Sequence, residues 1–226
     1  MREDITSIPI SEVFEPQDGC PLCRLQEMLE ERIVVYITGA AMMEPDVRQE
    51  TNRLGFCNPH YRRLLAQRKR LSVALMLESH LAEVEKEAFA TGLGGKTKKV
   101  KEKKAATCFV CDQIDKNMAR FLPNIAHLWE REKDFRELYA AQPYFCLPHC
   151  RALTDTAAVL PKKLQGEFMQ VTADRARAYL HTLQGDVSHF CKMFDYRNNT
   201  ADADWGNSRD AIERTILWLT GEKAEG

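Results

Sequence analysis

The sequence predicts an all-α fold of two duplicated helical modules with an added C-terminal helix, and three observations predict it. A CxxC answered later by a CxPH occurs twice: Cys20-Pro21-Leu22-Cys23 with Cys57-Asn58-Pro59-His60, then Cys108-Phe109-Val110-Cys111 with Cys146-Leu147-Pro148-His149. Apolar residues recur at helical spacing along the stretches after these motifs. No segment alternates convincingly at period two, as a half-buried strand would. The repeat is close to register: Cys108 stands 88 residues after Cys20, and His149 stands 89 after His60. The copies also share an aromatic before the third cysteine (Phe56, Phe145), Arg62 with Arg151, and Leu64 with Leu153. Such self-similarity marks an internal duplication.

Residues 1–19 read as an extended lead-in lying over the first module, anchored by Ile8, Ile10, Val13 and Phe14, because Pro9 and Pro16 oppose a continuous helix. Arg24 to about Ala41 reads as helix, with Leu25, Met28, Leu29, Arg32 or Ile33, and Tyr36 or Ile37 recurring at helical spacing and Gly39 and Pro45 marking its end. Asp46 to Arg53 is expected to form a short helical turn. From His60 to about Ala90 one long helix is predicted, with Leu64, Leu65, Leu71, Leu75, Leu81 and Val84 as its buried stripe; Gly92 to Gly95 ends it. Lys96 to Lys104 holds six lysines and one glutamate, and reads as a solvated linker before it reads as a contact for nucleic acid.

The second half repeats the plan. Asp112 to about Glu130 is predicted helical, bent or divided at Pro123, and Phe135 to Ala141 adds a short helix. His149 to about Val159 starts another, interrupted by Pro161, and Lys162 to about Tyr196 continues as a long one. Asn199 to Gly206 is a polar loop. Ser208 is placed to cap a last helix, Arg209 to Leu219, with Ile212, Ile216 and Leu219 inward and Gly221 as its stop. The implied divisions are 1–95 for the lead-in and first module, 96–106 for the linker, 107–198 for the second module and 199–226 for the C-terminal loop and helix.

Two thiolates three positions apart grip one ion from a tight knuckle, and a Cys/His pair closes a tetrahedral shell. The candidate ligands are therefore Cys20, Cys23, Cys57, His60, Cys108, Cys111, Cys146 and His149, expected to hold two zinc ions, with iron as the alternative. Each half is expected to hold its own ion, at a point where two helix N-termini meet. Four protein ligands saturate zinc, so the expected role is structural. Cys150 and Cys191 stand outside the pattern and read as core thiols, with Cys150 as a substitute ligand the alternative. His80, His127 and His181 read as surface or satisfied core groups, and His189 with Cys191, two positions apart on a helix, is poor chelating geometry.

Composition excludes little but directs the rest. A net charge of −1 gives no overall pull toward nucleic acid or membrane. The longest mostly apolar run, Ile33 to Met43, is well short of the ~20 residues of a membrane span. The N-terminus lacks the pattern of a secretory signal, so a reducing cytoplasm is expected, where this spacing means metal and not disulfide. No nucleophile elbow, phosphate loop or HExxH occurs, and no catalytic residue is assigned. The expected role is a non-enzymatic protein that binds another macromolecule or acts as an adaptor, with Trp129, Trp205 and Trp218 supplying apolar contacts. A redox-responsive zinc switch, and less readily nucleic-acid binding through Lys96 to Lys104, are the alternatives.

Taken together, the Ile-Pro-Ile start, the two CxxC…FCxPH copies and the late FDYRN…DWGNSRDAIER stretch resemble an uncharacterised bacterial family, domain-of-unknown-function family 6062. The resemblance spans nearly the whole chain. It implies a cytosolic bacterial protein with paired metal-ligand motifs and brings no established activity.

Overall fold

The computed structural model describes residues 8–89, 108–195, 197–198 and 203–222. The linker Lys96 to Lys104, the Gly92 to Gly95 stop, Tyr196 and the first part of the lead-in lie outside the described residues. Ten α-helices and no strand occur among those described: α1 (Ile8–Phe14), α2 (Pro21–Thr38), α3 (Pro45–Leu54), α4 (Asn58–Ala66), α5 (Arg70–Phe89), α6 (Phe109–Arg131), α7 (Lys133–Ala140), α8 (Leu147–Thr156), α9 (Lys162–Met193) and α10 (Ala211–Thr220).

The chain forms two compact units, and they do not follow the sequence halves. One comprises Met1–Gln26 with Ala119–Gly226, the other Glu27–Met118. The boundaries fall inside α2 and α6.

In the first unit the core is aromatic. Phe14 lies 5.0 Å from Phe135 between ring centres, Tyr139 lies 4.8 Å from Phe145 and 5.4 Å from Phe168, and Trp129 meets Phe168 edge-on at 5.2 Å. The Tyr139 hydroxyl is satisfied by Thr172 Oγ1 at 2.6 Å, as a fully buried phenol requires. Helix α9 is the scaffold on which α7, α8 and α10 pack.

The lead-in departs from expectation here. Pro9 does not prevent a helix, because it occupies the first turn of α1, where no N–H is needed. Ile10, Val13 and Phe14 are buried, Phe14 packs on Phe135 and Tyr139 of α7 in the second half rather than over the first, and Gln142 Nε2 donates to the Phe14 carbonyl at 2.7 Å.

The second unit packs α3 against α5 around Val34, Ile37, Ala41, Val47, Leu64, Val73 and Met76, joined by Cys108, Phe109 and Val110. The single helix predicted from His60 is two: Arg68 takes a left-handed φ of 58°, ending α4 before α5 begins. The break rotates the apolar pattern. Leu65, Leu71, Leu81 and Val84 are exposed, and the buried face of α5 is Val73 and Met76.

Three further expectations are corrected. Pro123 sits inside a continuous α6 without dividing it. On α10 the inward residues are Ala211 and Trp218, whereas Ile212, Ile216 and Leu219 are exposed. Ser208 does not cap that helix; its hydroxyl bonds Trp205 O within a short 3-10 turn. Gly221 does end α10, with φ 77°. Among the described residues no helix is long and apolar enough to cross a membrane.

Candidate metal centres

All eight predicted ligands come together in two groups of four, but not in the groups expected. Cys20 and Cys23 join Cys146 and His149; Cys57 and His60 join Cys108 and Cys111. The expectation that each half holds its own ion is therefore wrong. Each CxxC is completed by the CxPH of the other copy, and each cluster lies within one compact unit.

Local sequence builds each knuckle. Helix α2 begins directly after Cys20 and α8 directly after Cys146; α4 begins after Cys57 and α6 after Cys108. Proline in the first turn of α2, α4 and α8 starts those helices at no hydrogen-bonding cost. Each cluster thus sits at two helix N-termini, whose unpaired N–H groups and partial positive charge favour thiolate.

Packing then decides the partners. Burial of Ile10, Val13 and Phe14 carries Cys20 into the first unit, and Leu22, between the two cysteines, is fully buried there. In the second unit Phe109 N donates to Gly55 O at 3.0 Å, and its ring meets Phe56 edge-on at 6.3 Å. These contacts bring Cys108 and Cys111 to Cys57.

The donor atoms of each group lie within 4.8 Å of one another. A tetrahedral zinc with bonds of about 2.3 Å to sulfur and 2.0 Å to nitrogen needs sulfur–sulfur edges of roughly 3.8 Å and slightly shorter sulfur–nitrogen edges. In the Cys20 cluster, Cys23 and Cys146 sulfurs are 3.5 Å apart, and His149 Nδ1 lies 3.6, 3.4 and 3.0 Å from Cys20, Cys23 and Cys146. In the Cys57 cluster, the Cys57 and Cys111 sulfurs are 4.0 Å apart, and His60 Nδ1 lies 2.9, 3.2 and 3.5 Å from Cys57, Cys108 and Cys111. Both donor sets fit one ion each. In both, Nδ1 is the imidazole atom that faces the sulfurs.

Electrostatics makes the same demand. Burial pushes the Cys108 thiol up, but the hydrogen bond from His60, those from the Cys111 and Cys57 backbones and the His60 charge together outweigh it and bring it down to about 6. Cys111, raised by burial and by the charges of Cys108 and Cys57, is pushed up to about 12. In the other cluster Cys20 is held well below its usual range despite burial, by hydrogen bonds from Cys146, Cys23 and His149, while Cys146 is pushed to about 12, first by its hydrogen bond to Cys20. One thiolate per cluster forms readily, at Cys108 and at Cys20, while Cys111, Cys23 and Cys146 resist. A dication in the middle reverses that resistance, because thiols bind metal as thiolates.

The surroundings contain residues that the motif reading did not find. His60 Nε2 faces Glu30 Oε1 at 3.0 Å, and Arg63 Nε holds the same oxygen at 2.6 Å. Arg63 falls one turn after His60, a weak cue; Glu30, on another helix, gives none. At the Cys20 cluster the end of α10 lies against the sulfurs: a Cβ on Gly221 would stand 3.6 Å from Cys146 Sγ and 4.0 Å from Cys23 Sγ. Trp218 Nε1 donates to Phe145 O at 3.1 Å, beside Cys146.

The other candidates go elsewhere. Cys150 is half-buried and Cys191 exposed, so Cys191 is not a core thiol. His189 Nε2 bonds Asp204 O at 2.9 Å, and His80 Nδ1 bonds Asn52 O at 2.6 Å. Trp129 and Trp218 are buried and offer no surface contact.

Fold and sites together define an all-helical protein with two Cys3His clusters able to hold metal ions. The chain belongs to DUF6062, a family of unknown function, whose model matches residues 1–226. No curated protein and no solved structure matches it.

Proposed function

We propose that this is a non-enzymatic helical protein of the reducing bacterial cytoplasm that carries two structural zinc ions and serves to bind another macromolecule. One observation carries the reading: each cluster offers three sulfurs and one imidazole nitrogen within 4.8 Å. Four such donors saturate zinc and leave no position for substrate or an activated water, which is the coordination of structural rather than catalytic sites. The soft, sulfur-rich donor set favours zinc over harder cations, with iron as its rival. Exposed apolar side chains such as Met43, Leu71, Leu81 and Phe194 are points at which a partner could make contact.

Metal analysis and X-ray absorption on protein purified under reducing conditions test this. The expected result is two zinc ions per chain, each with three sulfurs and one nitrogen at tetrahedral distances. A folded, fully reduced protein without metal overturns the structural role, and a shell containing a bound water reopens the hydrolytic one.

A further inference from the structure

The imidazole of His60 has two jobs for its two nitrogens. Nδ1 faces the three sulfurs of its cluster, at 2.9 to 3.5 Å, and Nε2 faces Glu30 Oε1 at 3.0 Å. With Nδ1 given to a metal, Nε2 must carry the proton, and the carboxylate is where that proton points. The Glu30 side chain is 16% exposed and that of His60 is 8% exposed, so neither has water as a ready substitute for the other. Arg63 Nε at 2.6 Å fixes the carboxylate and balances its charge.

The repeat supplies an independent comparison. At the offset of the CxxC motifs, the counterpart of Glu30 is Met118; at the offset of the CxPH motifs, the counterpart of Arg63 is Ala152. All four ligand positions are duplicated, while this carboxylate and its guanidinium are both lacking from the second copy. The two sites therefore match in their ligands and differ in what stands behind the histidine.

We infer that Glu30, held by Arg63, is a positioning residue for the metal ligand His60, and that the two metal sites are consequently unequal. The inference rests on the metal reading above. Glu30 orients the ring, selects the tautomer that presents Nδ1, and raises the basicity of that nitrogen. Carboxylates that accept from a ligand histidine typically contribute 10- to 100-fold in metal affinity.

The test is a competition titration of the full chain, loaded with zinc and then with cobalt(II), against a chromophoric chelator. Wild type, Glu30→Ala, Glu30→Gln, Arg63→Ala and Cys20→Ser are compared. One of the two release steps is expected to weaken 10- to 100-fold in Glu30→Ala, with the cobalt charge-transfer and d–d bands of that ion displaced. It is the step that survives in Cys20→Ser. Glu30→Gln, which keeps an acceptor oxygen, recovers part of the loss, and Arg63→Ala shows a smaller loss at the same step.

A purely structural ion pair gives a different pattern: loaded Glu30→Ala melts lower than loaded wild type, yet both release steps move together, or neither moves. Either outcome overturns the assignment. A wild-type chain that takes up no metal at all defeats the zinc reading itself, before Glu30 enters.

Discussion

Gly55 shows how one residue can fix a candidate metal site. Its φ of 61° with ψ of −157° belongs to a region that only glycine occupies at low cost, and a Cβ there would come within 2.5 Å of His80 Nε2. Its carbonyl accepts from Phe109 N, which brings the Cys108 knuckle alongside the Cys57 one. Gly55→Ala is therefore expected to cost at least about 1–3 kcal/mol from the backbone alone. Adding His80→Ala should recover only the steric part, so chemical denaturation of the single and double variants separates the two causes. If Gly55→Ala melts like wild type, the strained conformation is not needed.

At the scale of elements, α10 reports which periodicities a sequence can reveal. Ile212, Ile216 and Leu219 recur at helical spacing, yet the helix turns Ala211 and Trp218 inward. Trp218 wins because it is the largest side chain available and its indole N–H meets Phe145 O, so burying it leaves no polar group unpaired. Trp218→Ala should cost about 3–5 kcal/mol, whereas Ile212→Glu should change stability by no more than about 0.5 kcal/mol. Thermal melts that reverse this order would restore the sequence-based face. The α4–α5 break was invisible for a related reason. Arg68 carries no turn signal, yet it takes a left-handed φ of 58° where α4 ends.

Across the whole molecule, the grouping of ligands can be read by combining substitutions. Cys20→Ser and Cys146→Ser are expected to abolish the same ion, so the double variant retains one. Cys20→Ser with Cys57→Ser is expected to retain none. Metal content per chain distinguishes this from same-half pairing, which exchanges the two results.

Residue types and their spacing determined that the chain is helical, that eight side chains are the candidate ligands, and that each candidate pair opens a helix. All of that is local, set by hydrophobic period, by proline in the first turn and by the reach of two cysteines three residues apart. Which CxxC meets which CxPH was decided only in three dimensions, because the copies are chemically interchangeable. Closing Cys23 onto Cys146, 123 residues away, costs only roughly 1 kcal/mol more in loop entropy than closing it onto Cys57, since that cost grows with the logarithm of length. Burial of Ile10, Val13, Phe14 and Leu22 in one unit, at about 1.5–3 kcal/mol for each large side chain, exceeds that difference. Distant packing therefore chose the partners.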